Sequence, residues 1–158
     1  MYRKIILLCT LVFVNSLAVA EESKDTHSTK TTLKKKKTLS EKKLVVFVSN
    51  GDLEVAGMGF GIALSAVKQG ADVTIVIGAN ALKYALKDGE QNVYFAKERT
   101  PRALLEEALK SGASIQLCSA NTNVMGMDED DFIDGAKEVI STEIFAKVFA
   151  SEAKVISF

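Results

Sequence analysis

Tryptophan is absent from these 158 residues, and histidine and proline occur once each. Cysteine occurs twice, as Cys9 and Cys118. Each scarcity removes a class of function. With no tryptophan, aromatic platforms for stacking single-stranded nucleic acid are scarce. The one histidine, His27, stands in the charged stretch "EESKDTHSTKTTLKKKKTLSEKK" (residues 21–43). A lone imidazole on such a segment is poor material for a general base or a metal site, and a Cys–His protease has no histidine to work with. Long apolar runs are missing too. The run from Ile5 to Val14 is too short to span a membrane comfortably, which takes about 20 apolar residues.

What surrounds that run gives it a purpose. Arg3 and Lys4 precede it, and Ala18-Val19-Ala20 follows. A basic start, a short apolar stretch and an A-x-A site make a secretory signal peptide, residues 1–20, cut after Ala20. Cys9 leaves with it, and it lies too far ahead of the small-residue site to carry a lipid anchor. The exported chain, expected in the periplasm, then keeps Cys118 alone. An intramolecular disulfide is excluded, as is dithiol exchange within one chain. A leftover cysteine in an exported protein means intermolecular pairing or a reactive thiol. Residues 21–43 hold eight lysines and four acids, with Leu33 and Leu39 their only aliphatic side chains. Such a segment buries too little apolar surface to offset its ordering entropy, so it reads as a flexible basic tether. The run Lys34 to Lys37 offers charge to anionic lipid or an acidic partner, although a solvated linker is the plainer reading.

From Leu44 to Phe158 the chain is the length of one domain. It carries 10 basic and 16 acidic side chains, a net of −6. An acidic domain without a basic patch does not suit nucleic acid. Short apolar runs alternate with helical patterns. Leu44–Val48, Asp72–Gly78, Ser114–Cys118 and "KVISF" (154–158) read as strands, Asn92–Ala96 as a short weak one, and Ala136–Ile140 as a strand or extended connection. Helices are expected over 54–69, ended by Gly70; over a short stretch from Ala79 stopped by Gly89; from Thr100-Pro101 to about Ser111; around Asn121 to Met125; and over "STEIFAKVFASEA" (141–153). Apolar strands alternating with helices make an α/β protein, a three-layer α/β/α domain with a mostly parallel sheet of about five strands. Sites in such sheets gather at the C-terminal ends of strands. Two segments there have unusual composition: Asn50, Gly51 and Asp52 after the first strand, and Ser119 to Thr122 after Cys118.

The glycines in "GMGFG" (57–61) do not make a dinucleotide fingerprint. Their spacing is G-x-G-x-G, they begin nine residues after Val48, and no acid ends the second strand. Close helix packing is the simpler account, and no cofactor is expected. Cys118 has two readings. It is a small buried hydrophobe, or it is a thiol at a helix start, whose free N–H groups favour the thiolate. In the second case Ser119 and Asn121 supply further hydrogen bonds to a thiolate or persulfide. What remains open is single-thiol chemistry: sulfur carriage, a mixed disulfide or a soft metal.

The strand "LVVFVSNGD", the segment "AVKQGADVTIVIGANAL", the cysteine-bearing "IQLCSANTNVMGMDEDDFIDGAKEV" and the terminal "SEAKVISF" together resemble the DsrE/DsrF-like sulfur-relay family, TusD-type subunits included. In that family a cysteine after the fourth strand precedes a glycine ending a short helix, an acidic stretch and a D-G-V-like segment. Here these are Cys118, Gly126, Asp128 to Asp131, and Asp134-Gly135-Ala136. The resemblance implies a persulfide-carrying Cys118, sulfur donor and acceptor proteins or small thiols as partners, and a homo-oligomer such as a trimer or hexamer. Turnover as a sulfurtransferase would then depend on those partners. A soft-metal module is the rival, with Cys118, Met125 and Met127 as one thiolate and two thioethers for Cu(I); a non-catalytic oligomeric scaffold is the third reading. The export signal gives the first expected outcome. N-terminal sequencing of protein from the periplasmic fraction should begin at Glu21, and recovery only in membranes with Met1 retained would refute it.

Overall fold

The computed structural model describes residues 39–89, 91–93 and 98–158. The expected signal peptide, Cys9, His27 and Lys34 to Lys37 lie outside the described residues. Five strands form one sheet: β1 (Lys43–Val48), β2 (Asp72–Ile77), β3 (Ser114–Cys118), β4 (Ala136–Val139) and β5 (Ala153–Ser157). Their order is β4-β3-β2-β1-β5, and every pairing is parallel. Four α-helices connect them: α1 (Leu53–Val67), α2 (Pro101–Lys110), α3 (Ser119–Met125) and α4 (Ser141–Val148). No helix among the described residues is long and apolar enough to cross a membrane.

Side chains alternate across a strand, and the alternation sorts the core into two unequal parts. On one face Val46, Val48, Val73, Ile75, Ile77, Ile115 and Leu117 pack with α1, α2 and the segment after β2. Each fully buried Ile or Leu there contributes about 1.5–3 kcal/mol. On the other face Val45, Val76 and Val139 meet Ile144 of α4, with Phe47, Cys118 and Val148 partly buried beside them. The expected three layers are present, with a thick helical layer on the first face and a thin one on the second.

Local chemistry explains most boundaries. Thr100 caps α2 by accepting from Ala103 N at 3.0 Å, with Pro101 in the first turn. Gly70 and Gly112 end their helices at φ +92° and +101°. The glycines of α1 serve packing: a Cβ on Gly59 would lie 2.9 Å from Val48 Cγ2 and 3.1 Å from the Phe158 ring.

Four expectations change. The short helix after β2 is a 3-10 helix of Ala79–Tyr84, because Leu86 leaves it to bridge Phe132. Asn92 and Val93 stand outside the sheet, and the rest of the expected weak strand, 94–96, lies outside the described residues. Among the described residues Cys118 ends the third strand in chain order. Helix α4 stops at Val148, where Phe149 and then Glu152 (φ +68°) turn the chain into β5. Finally, the last tether residues, Leu39 to Lys43, belong to the domain. Leu39 packs against the main cluster, its N–H donates to Gln69 O at 2.9 Å, and Lys42 O accepts from Asp72 N at 2.9 Å.

Two outcomes follow. Deleting residues 1–38 should leave Tm within about 2 °C, whereas deletion through Lys43 should lower it by more than about 5 °C, roughly 1 kcal/mol for this size; differential scanning calorimetry checks both. The second concerns Glu107, which takes hydrogen bonds and charge from Lys68 and Arg99. Lys68 first, then Arg99, hold its carboxyl below the ordinary value of 4.5. A lowered folded-state pKa gives stability that is present above the unfolded value and lost as pH falls through the folded one. Glu107→Gln should cost a few degrees of Tm at pH 7 and nothing at pH 2, in paired melts; an equal cost at both would refute the ion pairs.

Candidate functional site

Cys118 closes β3 and is at once the N-cap residue of α3, with φ −72° and ψ 109°. It is a free cysteine, partly exposed, and beside it in the sheet stands Val139 of β4. Helix α3 begins at Ser119, two residues earlier than the composition predicts, so the thiol belongs to the strand–helix junction itself. The first N–H groups of a helix have no partner within it, and Cys118 Sγ makes no capping bond to them.

The turn after β2 is held against this junction. Asn121 Oδ1 accepts from Ala79 N at 3.1 Å. Ala79 has φ +45°, an uncommon backbone for a residue with a side chain. Gly78 makes the approach feasible: a Cβ there would lie 2.6 Å from Asn121 Oδ1 and 3.6 Å from Cys118 Cβ. Asn121 is thus a clamp on the neighbouring turn, and its carbonyl oxygen is engaged there. On the opposite side α3 is anchored to β4. The fully buried Thr122 hydroxyl donates to Glu138 Oε1 at 2.5 Å, and Glu138 N donates to Glu129 Oε2 at 3.1 Å. Ser119 lines a cleft of about 400 Å³ with Asn123, Glu129, Glu138, Val139, Ile140 and Glu143.

Of the residues singled out from sequence, Cys118, Ser119 and Asn121 stand together. Asn50 and Gly51 line a separate cleft of about 360 Å³ with Asp52, Asn80, Lys83 and Met125. It connects to the thiol through the 78–80 turn and through α3, whose last residue is Met125; Gly51 abuts Asn80, and Tyr84 Oη donates to Gly51 O at 2.9 Å. Asn50 Oδ1 accepts from Asp52 N, and Asp52 Oδ1 accepts from Glu54 N and Val55 N. The start of α1, where a phosphate would have to sit, is thus filled by the protein's own carboxylate. Gly126 is the left-handed C-cap of α3 at φ +65°, a full helix length from the thiol. The sequence reading missed Gly78, Thr122, Glu138 and Gln116. Only Gln116 leaves a trace in sequence, as a lone amide inside an apolar strand.

The sulfur atoms proposed for copper do not converge. Cys118 packs with the α4-side cluster, Met127 packs against the main cluster, and Met125 lines the Asn50 cleft. Among the described residues no three His, Cys, Asp or Glu side chains gather to hold a metal.

Among curated proteins none matches this sequence. Solved structures share its fold, among them the following two. The ychN protein from E. coli superposes with a TM-score of 0.64 at 16% identity, covering 74% of this chain and 99% of its own. MTH1491, a protein of unknown function from Methanobacterium thermoautotrophicum, gives 0.56 at 16% identity with the same coverages. The DsrE/DsrF-like family matches residues 42–158, the whole sheet but the first residues of its lead-in. On that match, and with a five-stranded parallel sheet carrying a cysteine at a strand end, the chain belongs to the DsrE/DsrF-like family.

Proposed function

We propose that this protein is an exported, periplasmic sulfur carrier whose working atom is Cys118 Sγ. Family membership suggests sulfur relay in general. The observation that supports the finer reading is the placement of the only cysteine among the described residues: partly exposed, at the C-terminal end of β3, on a junction clamped by Asn121 and Gly78. The thiolate attacks the terminal sulfur of a donor persulfide, R–S–SH. The Sγ–S bond forms, the donor S–S bond breaks, and R–S⁻ leaves with the electron pair. The product is Cys118–S–SH. An acceptor thiolate then attacks the terminal sulfur, regenerating Cys118–S⁻ and giving R′–S–SH. Neither step changes the overall oxidation level. Donor and acceptor are proteins or small thiols.

An oligomer, a trimer or hexamer by the family's habit, is part of the proposal. Its support is the apolar surface left open: Val124 is 87% exposed and Phe149 82% exposed. Exposed apolar side chains grouped on few elements are typical of association surfaces.

Intact mass spectrometry after incubation with polysulfide should show a gain of one sulfur atom, abolished in Cys118→Ser. The serine variant should keep the fold, since the two side chains differ little in volume and the position is partly exposed. A protein that gains no sulfur, or a serine variant that gains it equally, overturns the proposal. Cu(I) titration separates the rival: tight binding lost in a Met125→Leu, Met127→Leu double variant, with no sulfur loading, would make this a metal module.

A further inference from the structure

Gln116 is an anomaly of the sheet. It sits in the middle of β3, only 7% exposed, between Val76 of β2 and Lys137 of β4. Its amide oxygen Oε1 is buried and has no hydrogen-bond partner. A buried acceptor without a partner destabilises a fold, and a methionine would fill the same volume without that penalty. Buried orphans of this kind call for an explanation in the chemistry nearby.

The strand supplies one. Residues two apart on a strand share a face and stand about 6–7 Å apart along it. Gln116 therefore lies on the same face as Cys118, the face of Val76, Val139 and Ile144. A glutamine side chain is long enough to bring its carboxamide to a sulfur on that neighbour. The carboxamide also has a property that no other neutral side chain but asparagine shares. It holds an acceptor and two donors, exchanged by a half-turn of its terminal bond.

We propose that Gln116 is the positioning residue for the sulfur on Cys118. Its Oε1, unpaired in this structure, is the acceptor that a rotation of the side chain brings to the S–H of the resting thiol. After the half-turn its Nε2–H donates to the sulfur anion, whether the attacking thiolate or the terminal sulfur of a deprotonated persulfide. The buried amide thereby follows the sulfur through its two protonation states beneath α4. This rests on the reading of Cys118 as the sulfur-carrying thiol, yet its test does not require that any sulfur be carried.

The test is the rate of Cys118 alkylation by iodoacetamide against pH, in the full exported chain and in Gln116→Met and Gln116→Glu. Methionine keeps the length and removes both hydrogen bonds. Glutamate keeps the shape but, ionised, cannot donate to an anion. The charged groups around the thiol's strand end and face are Glu129 ahead of β4, Lys137 and Glu138 on β4, Glu143 and Lys147 on α4, and Asp72, which shares this face of β2 with Thr74 and Val76. These charged groups are all unchanged in the variants, so they cancel in the comparison. The alkylation rate at pH 7 should fall about tenfold in Gln116→Glu and roughly threefold in Gln116→Met, with both profiles moved to higher pH. The methionine variant should melt no lower than the parent, because the orphaned oxygen is gone; if the glutamate variant does not fold, methionine alone decides. Unchanged pH profiles with altered melting would mean a structural glutamine and overturn the proposal. Sulfur loading measured on the same proteins separates the two claims. A parent that loads no sulfur, but whose alkylation depends on Gln116, defeats the carrier and leaves this coupling standing. A parent that loads sulfur while every variant keeps its profile does the reverse.

Discussion

All five strands run in one direction, so all five end at one edge of the sheet, and that constraint organises the molecule. A parallel pair cannot be closed by a tight turn, so each strand must be followed by a crossover that returns the chain to the far edge. The segments after β1, β2, β3 and β4 therefore crowd together where the strands end. Three of them touch in sequence: Gly51 against Asn80, then Gly78 and Ala79 against Asn121, with Cys118 beside them. The thiol is held by neighbours that are distant in the chain and adjacent only because the strands are parallel. Strand order reverses between β1 and β5, where such sheets commonly bind ligands. That crevice is closed by the chain itself: Phe158 O accepts from Ser49 N at 3.0 Å and from Asn50 N at 3.4 Å. Cys118 is displaced from it by two strands.

The two faces of the sheet are unequal, and the thiol belongs to the weaker one. The first face is sealed by α1, α2 and the 3-10 helix after β2. The second is covered by the short α4, which contributes Ile144 and Val148 and leaves Phe145 and Phe149 turned outward, their rings 6.3 Å apart. A residue on the first face at the position of Cys118 would be inert filling. On the second it is partly open, next to a cleft lined by Glu129, Glu138 and Glu143. That cleft is the local form of the domain's net acidity, and it presents negative charge to whatever approaches the sulfur.

Kinship and geometry carry different parts of the functional argument. The family match covers nearly the whole folded unit and brings the idea of sulfur relay. At 16% identity the two solved relatives carry only the fold. What the structure adds is local: a clamp at Asn121, a close approach at Gly78, an anchor from Thr122 to Glu138, and an orphaned amide at Gln116.

Much of this was legible in the residues. The apolar runs marked β1, β2 and β3 because a sheet buried on both faces needs strands that are apolar throughout. Thr100-Pro101 and Gly70 marked helix ends because capping is decided by the nearest few residues. The scarcity of cysteine and histidine singled out Cys118 as a candidate without any coordinates. Three things were beyond it. The extent of the folded unit depended on Leu39 finding the main cluster and Gln69. The 3-10 helix of 79–84 depended on Leu86 pairing with Phe132, more than forty residues away. The composition of the site depended on which strand ends lie side by side, which separated Asn50, Gly51 and Gly126 from Cys118 and brought Gly78 and Gln116 to it. Propensity, capping and composition act over a few residues and can be read along a chain. Which side chains share a face or an edge is set by long-range strand pairing, and only the tertiary structure decides that.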